Sequence, residues 1–209
     1  MTDLVFYTNP MSRGRIAHWM FEELGEDYQT VWVEYGEQMK SPDYLAINPM
    51  GKVPAMTYKG AVVTEAPAIC AALAALYPEK GLMPAAGDPA LAVYYRWLFF
   101  AAGPLEAAIT ARTMGWEVPE DRKPTVGFGS LESIVDAIEA AIKGSEGDYI
   151  CGDQFSACDV YVGSHLNWGM SFETIEKRPV FEEYVGRLLQ RPASARANEI
   201  NEKRMAQNA

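Results

Sequence analysis

Asn48 to Met56 reads NPMGKVPAM, and a few residues further on Thr64 to Ile69 reads TEAPAI. Val53 to Tyr58 and Ala61 to Thr64 flank a Lys59-Gly60 turn, which predicts a β-hairpin. Glu65 to Tyr77 is Ala/Leu-rich and ends before Pro78, which predicts a helix fed directly by the second strand. Val53-Pro54 stands at the entrance to the first strand. A cis bond there would leave the Val53 N–H and C=O free to pair with an extended peptide; a trans proline at a strand edge is the alternative. The Glu65-Ala66 junction points the first N–H groups of a helix outward, an arrangement that favours a carboxylate, and Glu65 adds a counter-charge for an amine.

Working outward, Leu4 to Tyr7 reads as a short apolar strand. Ile16, Trp19, Met20 and Leu24 recur at helical spacing until Gly25. Tyr28 to Tyr35 is aromatic and β-branched, and Ser41-Pro42 forms a cap-plus-proline helix start leading to Ile47. The predicted order is strand, helix, strand, short helix, strand, strand, helix: a mixed sheet between helices. Gly81 to Asp88 (GLMPAAGD) has linker composition, and beyond it the strand signals nearly vanish. Asp88-Pro89 starts a long helix to about Met114, with a kink expected at Gly103-Pro104. Leu131 to Ile142 forms an amphipathic helix, and further helices fit about Ala157 to Trp168, Pro179 to Gln190 and Pro192 to Met205. The domains are therefore 1–80, α/β; 81–88, linker; and 89–209, all helical.

Composition narrows the class. The chain has 209 residues, 49% hydrophobic and 22% charged, which excludes a disordered or low-complexity protein. A net charge of -10 without a basic run argues against nucleic acid. The longest uncharged stretches, Ala66 to Pro78 and Val160 to Phe172, are 13 residues each, too short to cross a bilayer. Three cysteines without framework spacing, and an N-terminus without a secretory pattern, point to a cytoplasmic protein. Neither His18 nor His165 belongs to a metal-ligand cluster, so no metal is expected. No Cys-x-x-Cys is present for redox work.

Three motifs carry a resemblance that spans essentially the whole chain. YTNPMSRGR from Tyr7 to Arg15, the NPMGKVPAM and TEAPAI segments, and FSACDV from Phe155 to Val160 together resemble the glutathione transferase family, with a cytosolic, bacterial-type character. The resemblance implies a thioredoxin-like α/β N-terminal domain, an all-α C-terminal domain, glutathione as co-substrate and a homodimer. It places the cysteinyl part of glutathione on Val53 and Pro54, the γ-glutamyl group on Glu65 and Ala66, and the glycyl carboxylate near Lys40 and Lys52. The family usually has serine where this chain has Ala66, a lost hydroxyl donor worth about 1 kcal/mol of binding.

A free thiol has a pKa of about 8.5, and lowering it by two units needs about 2.7 kcal/mol. A hydroxyl at a helix N-terminus supplies much of that. Ser12 matches the serine of the theta-, phi- and tau-like branches; Tyr7 and Arg13 are the alternatives. The implied reaction is conjugation of glutathione to small apolar electrophiles, in detoxification, with peroxidase activity as another use of the same thiolate. A non-catalytic glutathione-fold binding or assembly module is the competing reading. The apolar substrate is expected between the two halves, near Tyr94, Trp97, Phe100, Pro104, Met114 and Trp168. Ser156 and Asp159 read as a structural capping pair.

Overall fold

The computed structural model describes residues 3–208; Met1, Thr2 and Ala209, the ends of the expected domains, lie outside the described residues. Contacts divide the chain into two compact units: residues up to Gly81 together with those from Leu189 onward, and Leu82–Leu188.

The first unit is built on β1 (Leu4–Thr8), α1 (Gly14–Leu24), β2 (Gln29–Trp32), α2 (Pro42–Ile47), β3 (Ala55–Tyr58), β4 (Ala61–Thr64) and α3 (Ala66–Leu76). The sheet order is β2-β1-β3-β4, with β1 parallel to β2 and the other pairs antiparallel. This bears out the mixed, thioredoxin-like sheet expected from the sequence. Alternation along β1 sends Leu4, Phe6 and Thr8 to the buried face. There Phe6 packs against Phe21 of α1, ring centroids 4.5 Å apart. Gly25, in the left-handed region at φ 67°, ends α1 and donates to the Phe21 carbonyl, as its position after the periodic run predicts.

The last helix, α9 (Pro192–Asn208), packs on α1. The sequence reading grouped this segment with the helical domain at 89–209; by contacts it goes with the sheet. Its buried positions are small or polar, Ala193, Ser194, Ala197 and Asn201. Its attachment is largely ionic. Arg191 grips Glu23 with two bonds of 2.6 and 2.8 Å, Arg196 meets Glu22 at 3.0 Å, Arg15 meets Glu202 at 2.5 Å and Arg204 meets Glu34 at 2.6 Å.

The second unit contains α4 (Ala90–Phe100), a π-helical turn at Ala101–Leu105, α5 (Glu106–Thr113), α6 (Leu131–Gly144), α7 (Ala157–Ser171) and α8, which begins here (Pro179–Leu189). The π turn holds Gly103 and Pro104, where a kink is expected. α7 is the central helix, buried around its circumference. Its capping residue Asp159 is fully buried and accepts from Ser156 N and Oγ (both 2.9 Å), Ile150 N (3.0 Å) and Tyr184 Oη (2.7 Å). Burial raises the Asp159 pKa, with these hydrogen bonds opposing it. That set of partners fits a structural keystone.

Candidate functional site

The register of the sheet places the site. Tyr7 lies opposite Ala55, and Ala55 opposite Thr64. β1 therefore ends, β3 begins and β4 ends at one edge, where β2 also ends, with Trp32 opposite Thr8. The segments that follow or precede those strand ends, 9–12, 53–54 and 65–66, emerge side by side. All belong to the α/β unit.

The turn after β1 is shaped by Asn9, which is buried. Its carboxamide oxygen accepts from Met11 N at 3.0 Å and its nitrogen donates to Val33 O at 3.0 Å. Ser12 is half-buried at the entrance to α1. Its hydroxyl donates to Asn9 O at 2.7 Å and accepts from Gly14 N at 2.9 Å. Gly14 is obligatory at this close approach, because a Cβ there would collide with Thr8 Oγ1 and lie 2.9 Å from Ser12 Oγ. Arg13 is exposed beside it. Tyr7 points to the other face of the sheet and packs with Val53 and Ile47 around Val33, Met39 and Tyr44.

The loop before β3 repeats the device. Asn48 Oδ1 accepts from Met50 N at 3.1 Å, and Nδ2 donates to Lys52 O at 2.8 Å. Tyr44 Oη donates to the same carbonyl at 2.6 Å. Burial pushes the Tyr44 pKa up to about 12, so it stays a donor at neutral pH. Lys40 Nζ donates to Met50 O at 3.0 Å and Gly51 O at 2.9 Å, so it braces the loop. Lys52 is exposed. The Val53–Pro54 bond is cis, and the strand ladder starts only at Ala55, leaving Val53 ahead of it.

Glu65 joins β4 to α3 at φ 69° and ψ 122°, a conformation that costs a non-glycine residue about 1–3 kcal/mol. Its carboxylate makes no capping bond to α3 and is exposed, while Ala66 is buried. A strained junction with its acid turned outward holds the first N–H groups of α3 toward the same edge.

Residues 11–76 match the family model described as the glutathione S-transferase N-terminal domain. The chain is similar to "Glutathione S-transferase GstA" of Escherichia coli O157:H7, 28% identical over 90% of this chain and 93% of that one. Its fold is similar to a glutathione transferase crystal structure from Methylococcus capsulatus, with TM-score 0.79 and 29% identity over 95% and 98% of the two chains. A Sulfitobacter glutathione transferase homologue, solved with bound glutathione, is similar with TM-score 0.75 and 26% identity over 95% and 98%. Residues 11–76 thus match that family's N-terminal domain, and across nearly its whole length the chain is similar to glutathione S-transferases.

The residues expected around the apolar substrate are scattered within the helical unit. Tyr94 and Trp97 are buried in its interior, Phe100, Pro104 and Trp168 are half-buried, and Met114 is exposed. The unit also has a cavity of about 630 Å³ lined by Ala102, Glu106, Thr110, Trp116, Val126 and Phe128 among others, and by none of those six. Sequence reasoning also missed Asn9, Tyr44 and Asn48. The repeated Asn-Pro-Met at residues 9–11 and 48–50 was the available signal.

Among the described residues no group of His, Cys, Asp and Glu is placed to hold a metal, and no helix is long and apolar enough to cross a membrane. Cys70 is fully buried, and burial pushes its thiol up to about 12, far from thiolate formation at neutral pH.

Proposed function

We propose that the protein is a glutathione transferase in which the α/β unit binds glutathione and Ser12 holds its thiolate for attack on a small apolar electrophile. The observation that carries this reading is the shared strand edge, which gathers Ser12, the Val53 backbone and the Glu65–Ala66 helix start. An extended tripeptide is thereby offered a hydroxyl, a free strand edge and a helix N-terminus in sequence. Lys52 and Arg13 add positive charge for its carboxylates against the net charge of -10. Ser12 Oγ already donates to Asn9 O, so donating to sulfur requires the hydroxyl to rotate away from that carbonyl. The bond to Gly14 N is kept in either rotamer and holds the oxygen in place.

The test is the ultraviolet absorbance of enzyme-bound glutathione thiolate near neutral pH. Signal in the unmodified protein and loss in Ser12→Ala support the assignment. An unchanged signal moves the role to Arg13 or Tyr7; of these, Tyr7 is packed in the α2 cluster.

Ala66 favours a second reading, a glutathione-binding module without catalysis, since a hydroxyl donor is lost at the γ-glutamyl position. Calorimetric binding of glutathione with no turnover on electrophiles or organic hydroperoxides would select it. The same substrate panel tests peroxidase activity. A cytoplasmic detoxification role agrees with the free cysteines. We also place a second copy of this chain on the exposed face of α4, where Tyr95 and Phe99 stack 6.1 Å apart and Phe99 is 67% exposed. Sedimentation should give a dimer, and Phe99→Glu a monomer.

A further inference from the structure

Ten residues line the cavity of the helical unit, and Glu106 is the sole charged one among them. The rest are small or apolar except Thr110: Ala102, Gly103, Ala107 and Ala111 from the π turn and α5, and Trp116, Val118, Val126 and Phe128 from the segment that follows. A volume of about 630 Å³ suits a drug-sized ligand. Glu106 reaches this space from the first position of α5, immediately after the π turn. Its Oε2 stands 3.5 Å from Nδ1 of His165, a buried residue of α7 whose ring lies edge-on to Tyr161. One carboxylate oxygen is thus turned toward His165 while the side chain as a whole stays 30% exposed.

We propose that this cavity is a binding site for organic cations: apolar compounds, aromatic above all, that carry a protonated amine. A carboxylate against apolar walls loses part of its hydration and recovers the loss best from a cation. The cavity lining itself carries no positive charge. The faces of Trp116 and Phe128 accept both an aromatic body and an ammonium group. Anions are opposed twice, by Glu106 locally and by the net charge of -10 at longer range. Glu106 acts here as a specificity-determining residue. The assignment rests on the helical unit alone, so it stands or falls separately from the glutathione reading.

Three probes of one shape test it by calorimetry: naphthylmethylamine, naphthylmethanol and naphthoate. The amine is expected to bind about tenfold tighter than the alcohol, with naphthoate weakest. In Glu106→Gln, which preserves size, the amine and alcohol should become equal. Quenching of tryptophan fluorescence by the amine should fall in Trp116→Phe, which fixes the location. Equal binding of amine and alcohol by the unmodified protein overturns the proposal, as does a preference that survives Glu106→Gln, or quenching unchanged in Trp116→Phe. If Glu106→Gln fails to fold, the order among the three probes and the Trp116→Phe result still decide. Loss of glutathione binding alongside intact amine selectivity would sink the transferase reading and leave this one.

Discussion

Asn9-Pro10-Met11-Ser12 and Asn48-Pro49-Met50-Gly51 are two copies of one turn set at the same end of the sheet. In each, the asparagine Oδ1 takes the N–H two residues on, at 3.0 and 3.1 Å, and its carbonyl takes the N–H three residues on, at 3.2 and 2.8 Å. They part at the fourth residue. Ser12 keeps an ordinary backbone and lets the chain turn straight into α1, so its hydroxyl sits at a helix start. Gly51 takes φ 56° and swings the chain away toward Val53, with Lys40 bracing the bend. One local motif therefore presents a side chain in the first case and a length of bare backbone in the second.

Breaking the two turns should show how alike they are. Asn9→Ala is expected to cost about 3 kcal/mol, since Val33 O and Met11 N lose their partner in a buried place. Asn48→Ala should cost about 2 kcal/mol, because Tyr44 still serves Lys52 O. Urea unfolding measures both, and equal costs would mean that Tyr44 contributes little. Gly51→Ala, forced to φ 56° with its Cβ 2.7 Å from Lys40 Nζ, should lose about 1–2 kcal/mol and displace Lys40. Gly14→Ala, which collides at the matching place after the first turn, tests whether Ser12 moves with it.

The two lysines separate bracing from ligand binding. Lys40→Met should lower stability by about 1 kcal/mol, and Lys52→Met should leave stability alone while weakening glutathione a few-fold, more at low salt. A stability loss confined to Lys52→Met would reverse these roles.

The smallest effect concerns α1, behind the first turn. Burial lowers the His18 pKa below its ordinary 6.5, against opposing contributions from Asn201 and Glu22. The unfolded chain then binds the extra proton first as pH falls. His18 thus adds stability that is whole above pH 6.5 and declines below it, by under about 1 kcal/mol between pH 7 and 6. His18→Gln should flatten that part of the profile in urea titrations.

The α/β order and the site loops were legible in the sequence because turns are written in residues with special backbones. Asn, Pro and Gly in 48–54 leave few conformations open, and Gly25 stops a helix wherever it stands. The home of α9 was not legible. Its docking face is alanine, serine and asparagine, which reads as surface, and its partners Glu22, Glu23 and Glu34 are remote in the chain. The cavity was missed for a related reason. Aromatic periodicity in α4 reports that Tyr94 and Trp97 are buried, without saying whether they line a core or a space. A single glutamate such as Glu106 looks like any solvated helical charge until the walls around it are known.

The pairing of α1 with α9 has a consequence in time. A ribosome adding roughly 5–20 residues per second finishes α1 well before Arg191, Arg196 and Arg204 exist. For roughly ten to thirty seconds Glu22, Glu23 and Glu34 wait uncovered while the whole helical unit is made. The nascent sheet is thus an unfinished clasp, and a chaperone has that interval in which to hold it.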